Sequence, residues 1–192
     1  MKLAILHSNR LVLTLPEDFG KHFKRVAPLL SVMPKRKQKH SRRVGKQLHR
    51  LGLGKQGTYA GLLHDYLERG GDLETLKQHL GSLHLPPQVI NIIQALTGAD
   101  KDIPDPDESP ENPSLDHLMH NLPNLDQETK NMAILVKLSD RLDNLKKRMR
   151  IRGKIANNYK RKSLDIVNFL ESHYTGVPKY FRKLKNKITG LM

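Results

Sequence analysis

Apolar residues recur at steps of three and four along much of this chain, and this spacing constrains the fold more than any other feature. The two clearest rows are formed by Val44, Leu48 and Leu51 and by Leu135, Leu138, Leu142, Leu145 and Met149. A period near 3.6 residues puts such side chains on one face of an α-helix, where they pack against other helices. The spacing therefore predicts a mostly helical chain.

Capping residues and glycines divide these rows into separate helices. Helix starts are predicted at Asp72, at the pair Pro86-Pro87 and at Asp126, because aspartate caps free N–H groups and proline fits the first turn. Glycine favours the left-handed conformation that ends a helix. Predicted stops are Gly52, Gly54, Gly70, Gly71, Gly81, Gly98 and Gly153. The helix that starts at Asp126 is thus expected to reach about Gly153.

The 192 residues are predicted to form a single domain with its core at about residues 18–175. At the N-terminus, "KLAIL" and "RLVLTL" flank "HSN" and indicate a short strand pair. Residues 98–114 hold four prolines and six acidic residues, which predicts an exposed mobile loop, either a plain connection or a lid. Residues 176–192 are predicted to be a basic C-terminal extension.

The composition excludes several classes of protein. The chain has no cysteine, which rules out disulfide scaffolds and thiolate metal sites. The apolar start "MKLAIL" is too short for a signal peptide, and no apolar run approaches the roughly 20 residues that span a bilayer. We therefore expect a cytoplasmic protein without a membrane span; the sequence leaves its oligomeric state open.

The net charge of +15 points to an anionic partner. Positive charge is concentrated in four clusters, at residues 35–43, 146–154, 159–162 and 179–187. Each cluster alone is compatible with a solvated basic face, but together they favour a nucleic acid, an anionic surface or a small phosphorylated ligand.

A set of histidines and aspartates predicts a metal site. His64 and Asp65 are adjacent in "GLLHDYLERGG", and neighbouring positions on a helix diverge by about 100°, so both reach one ion only at that edge of the helix. His40 lies on the buried row of its own helix, where a core histidine is the alternative. Asp140 lies at the edge of an apolar face and needs a partner. Two imidazoles and two carboxylates suit Mn²⁺ or Fe²⁺ better than a closed structural zinc site.

Further polar residues lie one turn from these candidates. Glu68 follows His64 by four residues and Asn144 follows Asp140 by four, which predicts a polar tier where a water or phosphate would lie. A salt bridge from Glu68 to Lys or Arg is the alternative. The cations predicted to contact an anionic substrate are Lys35, Arg36, Lys37, Arg69, Lys137 and Arg141.

The string of His40, "LLHD", Glu68 and "LVKLSDRLDNL" resembles the HD-domain metal-dependent phosphohydrolases. The match is nearest to the hydrolase domain of the RelA/SpoT group, whose pattern is a His, then "LLHDxxED", then "xKLADRLHNxR". The small size resembles the single-domain alarmone hydrolases. The resemblance implies an all-α fold, an HD-domain helical bundle that binds one ion, commonly Mn²⁺, with Fe²⁺, Zn²⁺ or Mg²⁺ as alternatives. The implied ligands are His40, His64, Asp65 and Asp140.

The resemblance also implies an activity, the removal of pyrophosphate from guanosine 3′-pyrophosphates to give GDP or GTP. Glu68 and Asp65 are then the catalytic residues, with Glu68 positioning or deprotonating the attacking water, and Asn144 contacts the nucleotide. The chain departs from the family pattern at Arg69, where an acid is usual, at Asp143, where a His is usual, and in the basic stretch before His40. Arg69 would either bind the departing pyrophosphate or change the specificity.

Two other functions remain open from the sequence. The first keeps the HD site but acts as a phosphatase or phosphodiesterase on another nucleotide or an RNA end. The second is a basic nucleic-acid-binding protein with a vestigial HD site, although aromatic residues make up only 5% and no stacking motif is visible.

Overall fold

The computed structural model describes residues 18–98, 112–148 and 154–192, and every regular element within these ranges is helical. The elements are α1 (Phe19–Leu30), α2 (Lys35–Arg50), α3 (Gly54–Leu63), α4 (Leu73–Ser82), α5 (Gln88–Leu96), α6 (Pro113–Asn121), α7 (Gln127–Arg148), α8 (Lys154–His173) and α9 (Pro178–Thr189), with 3₁₀ turns at Leu67–Arg69 and Leu122–Asn124. The predicted all-α fold is confirmed. The N-terminal strand pair and most of the acidic loop, residues 99–111, were predicted for segments outside the described residues.

The predicted helix starts are confirmed by the caps. The Asp72 carboxylate accepts the Thr75 N–H at 2.7 Å at the start of α4, and Asp126 accepts the Thr129 N–H at 3.0 Å at the start of α7. Helix α5 begins directly after Pro87. The stops agree less closely, since α4 continues one residue beyond Gly81 and the predicted stop at Gly153 lies outside the described residues.

Helix α7 lies at the centre of the bundle. It packs against α2, α3, α5, α8 and α9, which surround it on most sides. The predicted row from Leu135 to Leu145 is buried along α7, and the row from Val44 to Leu51 is buried along α2. Both predicted rows therefore form core faces, and residues on the edges of these faces are brought close to one another.

Two glycines let α2 and α3 approach closely beside the predicted metal ligands. A Cβ on Gly45 would lie 2.6 Å from Cγ of Leu62, and a Cβ on Gly61 would collide with Leu48 and lie 3.1 Å from the Gly45 Cα. Neither position accepts a larger residue without a shift of the helices. This crossing holds the end of α3 against the second half of α2.

The basic C-terminal segment takes part in the core. Helix α9 packs against α7 and α8, and Phe181, Leu184 and Ile188 on its inner face are buried. The segment predicted as an extension, residues 176–192, thus adds a helix to the bundle. Among the described helices, none combines the length and the apolar character required to cross a membrane.

Candidate metal centre and its pocket

Three predicted ligands converge between α2 and the end of α3. Donor atoms of His40, His64 and Asp65 all lie within 4.8 Å of one another, and all three residues are buried. The two Nε2 atoms are 3.2 Å apart, and Nε2 of His64 is 3.3 Å from Oδ1 of Asp65. This group could hold a metal ion.

Asp140 reaches the same place from α7. Its Oδ1 lies 3.0 Å from Nε2 of His40 and 3.7 Å from Nε2 of His64. Asn144, one turn further along α7, donates from Nδ2 to this oxygen at 2.7 Å, and Nζ of Lys137 lies 3.8 Å from the other oxygen. Asp140 therefore contacts both imidazoles, although it is not a member of the three-residue group.

Hydrogen bonds on the far side of each imidazole direct its Nε2 to the centre. Nδ1 of His64 lies 2.9 Å from the Gly61 carbonyl oxygen, which can only accept, so Nδ1 carries a hydrogen. Nδ1 of His40 donates in the same way to Oδ2 of Asp143 at 2.7 Å. A histidine that ligates a metal through Nε2 is usually oriented by such a bond from its other nitrogen. Both histidines are thus held in the orientation that a ligand requires.

Asp143 and Arg43 are functional candidates that the sequence analysis missed. The Arg43 guanidinium donates to both oxygens of Asp143, at 2.6 and 2.8 Å, while the same carboxylate accepts from His40. The signal was present as two one-turn spacings, from His40 to Arg43 on α2 and from Asp140 to Asp143 on α7. Asp143, which stands where the family pattern has a His, fixes the orientation of His40.

The four candidate ligands are strongly coupled electrostatically. Burial lowers the pKa of His40, but hydrogen bonds to Asp140 and Asp143 outweigh it and raise this pKa to about 9. Burial would raise the pKa of Asp140, yet its hydrogen bonds with His40 and His64 hold it well below the usual range. For Asp65 the burial penalty is likewise outweighed, chiefly by His64, and its pKa is lowered. At neutral pH a proton on His40 therefore offsets part of the buried carboxylate charge, and a divalent cation could replace it.

Glu68 lies beside this centre but not on the expected continuation of the helix. Helix α3 ends at Leu63, and Glu68 belongs to the following 3₁₀ turn. The turn closes at Gly70, whose φ of 89° allows the Gly71 N–H to bond to the Tyr66 carbonyl at 3.0 Å. The expectation that His64 and Glu68 share one helix face is therefore wrong.

The Glu68 carboxylate is partly buried and held from two sides. Its Oε1 accepts the Gly98 N–H at 2.9 Å, and Nη2 of Arg69 lies 3.8 Å from its Oε2. Burial and the nearby Asp65 raise the pKa of Glu68, against the opposing effects of Gly98, Lys137 and Arg69. A raised pKa makes the Glu68 carboxylate a stronger base than an ordinary glutamate, which suits proton transfer beside a candidate metal centre.

A cavity of about 140 Å³, here called the inner pocket, opens beside Asp65, Glu68 and Asp140. The predicted substrate contacts that line it are Lys37, Arg69, Lys137, Arg141 and Asn144. Of the remaining two, Arg36 lines only a neighbouring groove and Lys35 lines neither cavity. Lys37 also donates to Oδ2 of Asp65 at 3.1 Å, so it connects the pocket to the metal centre.

Helix α8 contributes residues to the inner pocket that were not among the predicted contacts. Tyr159 and Lys162 line it, together with Arg148 at the end of α7. The Tyr159 ring is in contact with two guanidinium groups, with Cζ of Arg141 5.0 Å and Cζ of Arg148 4.4 Å from its centroid. Nε of the buried Arg141 has no hydrogen-bond partner among the described residues, which leaves a donor for an anion. The basic cluster at 159–162 was the sequence signal for this wall.

Comparison of the chain with protein-family models, with curated proteins and with solved structures gave no match. The functional interpretation therefore depends on the motifs quoted from the sequence and on the geometry of the metal centre and its pocket.

Proposed function

We propose that this protein is a metal-dependent phosphohydrolase of anionic nucleotides, and that its substrates are guanosine 3′-pyrophosphates. The observation that carries the proposal is the convergence of two oriented Nε2 atoms and the Asp65 carboxylate beside a cationic pocket. The choice of substrate comes from the resemblance of the motifs to the RelA/SpoT-type hydrolase domains.

The side chains fit a divalent metal ion. His40, His64 and Asp65 would hold it, with Asp140 as a fourth ligand from α7. This mixed set of nitrogen and oxygen donors suits Mn²⁺, with Fe²⁺, Zn²⁺ and Mg²⁺ as alternatives. When bound, such an ion lowers the pKa of a coordinated water and neutralises charge on a phosphoryl group.

Residues around the centre supply proton transfer and positioning. Glu68 accepts a proton from the attacking water or orients that water, because its raised pKa and partial burial suit a general base. Its bond to the Gly98 N–H fixes the carboxylate in one orientation. Lys37, Arg141 and Asn144, which line the inner pocket, hold the charged groups of the nucleotide. In the products, the ribose 3′-oxygen is released as a hydroxyl and pyrophosphate leaves intact.

The test is a nucleotide panel assayed with Mn²⁺ after removal and reconstitution of the metal, with products separated by chromatography. The panel includes guanosine tetra- and pentaphosphate, GDP, GTP and a short RNA with a 3′-phosphate. We expect GDP or GTP together with intact pyrophosphate. The His64→Ala variant, which lacks one Nε2 donor, is the negative control for metal-dependent turnover.

A phosphatase or phosphodiesterase acting on another nucleotide or an RNA end is the second candidate. Arg69 favours it, because a cation lines the pocket next to Glu68 at the position where the family pattern has an acid. Release of orthophosphate alone, or a preference for a nucleotide without a 3′-phosphate, would support this candidate and contradict the alarmone proposal.

A further inference from the structure

A second concavity runs along α2 and the last turns of α7, and the hydrogen-bonded pair His40 and Asp143 forms part of its wall. Its volume is about 760 Å³, far larger than that of the inner pocket. The residues that line this basic groove are Arg36, Lys37, Lys39, His40, Arg43, Asp143, Asn144, Lys146, Lys147, Arg148 and Tyr159. It meets the inner pocket at the four residues that line both, Lys37, Asn144, Arg148 and Tyr159.

The charge of the basic groove is almost entirely positive. Among the described residues that line it, seven are lysines or arginines and Asp143 is the one acid. That acid is already bonded to Arg43 and His40. Burial together with nearby Arg36, Lys37 and Arg43 lowers the pKa of Lys147, which shows how closely the cations are crowded. Crowded cations repel one another, and a bound polyanion would relieve this repulsion.

The spacing of the cations favours a ligand with several phosphates. Arg36, Lys39 and Arg43 follow one another along α2 at steps of three and four residues, so they form a row about 10 Å long at 1.5 Å rise per residue. Lys146 and Lys147 line the same groove from the end of α7. A single phosphate or pyrophosphate cannot contact the whole row, whereas a chain of phosphates can.

The shape of the groove favours one strand. Helices α2 and α7 pack together, and the axes of packed helices lie about 8–10 Å apart, so the depression between them is about as wide as one helix. A duplex is wider than this, because its major groove alone, at about 12 Å, admits an α-helix. Among the described residues of the lining there is no aliphatic side chain, and the buried Tyr159 ring is in contact with two arginines. The cations of this lining therefore favour contacts to phosphates as the source of affinity. A concave wall also fits a strand better than a flat lipid surface.

We propose that the basic groove binds a single strand of nucleic acid through its phosphates, next to the metal centre. The proposal does not depend on which nucleotide the centre hydrolyses. Four cations of the groove, Arg36, Lys39, Lys146 and Lys147, form no ion pair with an acidic side chain of the described residues, and these are the expected phosphate contacts.

The test measures binding of fluorescein-labelled 20-nucleotide RNA and DNA of one sequence by fluorescence anisotropy over a KCl series. Four phosphate contacts predict a slope of about −2.8 for log K against log[KCl], at roughly −0.7 per contact for single strands. The triple variant Lys39→Gln, Lys146→Gln, Lys147→Gln retains one of the four, so its slope should be about −0.7. Its affinity at 100 mM KCl should fall about 10²-fold.

The matched control is Lys21→Gln, Lys24→Gln, Lys183→Gln, which removes the same charge from exposed lysines of α1 and α9 outside the groove. We expect this control to bind like the wild type. We also expect Mn²⁺-dependent nucleotide turnover of the groove variant to be unchanged, and its circular dichroism melting curve to match the wild type. A failure of turnover in the wild type would contradict the proposed function and leave the binding result intact.

Three results would overturn the proposal. An equal loss of nucleic-acid affinity in the groove variant and in the control would show that binding depends on net charge and not on the groove. Tighter binding of a duplex than of either strand would contradict a single-strand site. Binding to phosphatidylserine vesicles that is lost in the groove variant, with no binding of RNA or DNA, would assign the groove to a membrane surface.

Discussion

Asp143 should control how tightly His40 holds a metal ion. In the wild type, Nδ1 of His40 donates to a charged carboxylate, and such a bond contributes about 1.5–3 kcal/mol against about 0.5–1.5 for a neutral acceptor. Asp143→Asn keeps the shape and a neutral acceptor, so it should cost about 1–1.5 kcal/mol, or about tenfold in metal affinity. Asp143→Ala also removes the carboxylate to which Arg43 donates. Its metal affinity should therefore fall by up to about 100-fold, as it does when residues that orient metal ligands are substituted.

The assay is anaerobic competition of Mn²⁺ with a chelating indicator at pH 9.5, above the pKa of about 9 of His40. At pH 7 the difference in Mn²⁺ affinity between the wild type and Asp143→Asn should be smaller than at pH 9.5. The reason is that Asp143 stabilises the proton that competes for His40 as well as the bound metal. Asp165→Asn, on the outer part of α8 and paired with Arg161, is the control and should bind as the wild type does. Equal affinities of Asp143→Asn and wild type at pH 9.5 would refute the role of Asp143 in orienting His40.

The remaining predictions concern the other ligands, the base, the helix crossing and the metal-free state. His64→Ala should abolish bound metal in elemental analysis, and wild-type metal content would exclude it as a ligand. Glu68→Gln should retain metal and lose roughly 10²-fold in turnover, whereas unchanged turnover would make Glu68 a structural residue. In denaturant unfolding, Gly61→Ala should lower the free energy of unfolding by about 1–3 kcal/mol, because its Cβ collides with α2. The control Gly81→Ala, with open space around the new Cβ, should raise the free energy of unfolding by about 0.4–1 kcal/mol. Folding raises the pKa of His40 from 6.5 to about 9, so protonation of His40 stabilises the folded metal-free protein. This stabilisation should be complete below pH 6.5 and should be lost as the pH rises through 9. In EDTA, the melting temperature should therefore fall less over this pH range in His40→Gln than in the wild type, and an equal fall would contradict His40 as the source.

The parts of the fold that depend on local rules were predictable from the sequence. The buried rows on α2 and α7 follow from helical periodicity, and the caps at Asp72 and Asp126 follow from side chains that bond to free N–H groups. Each of these features is determined by residues within a few positions of one another. The convergence of His40, His64 and Asp65 was also predicted, although it required a family motif to relate segments far apart in sequence.

Features that depend on packing between distant segments were not predictable in the same way. The bond from His40 to Asp143 joins residues 103 positions apart. The one-turn spacings on α2 and α7 mark Arg43 and Asp143 as neighbours of predicted ligands, but they do not predict that these two helix faces meet. Lys35, Arg36 and Lys37 are consecutive in one basic run, but they lie on different faces of α2, and only Lys37 lines the inner pocket. A charge run in a sequence therefore identifies a cationic region, but the helix face decides which cations reach the site.

An adjacent His-Asp pair serves one centre at the end of α3. Neighbouring side chains on a helix diverge by about 100°, so an ion can reach both only at the edge between them. Helix α3 ends at Leu63, and His64 follows it as the C-cap residue. Nδ1 of His64 bonds to the Gly61 carbonyl, while its Nε2 lies 3.3 Å from Asp65. The 3₁₀ turn that follows at Leu67–Arg69 places Glu68 against the Gly98 N–H and the inner pocket, so the proposed base lies beside the ligands although it does not continue their helix.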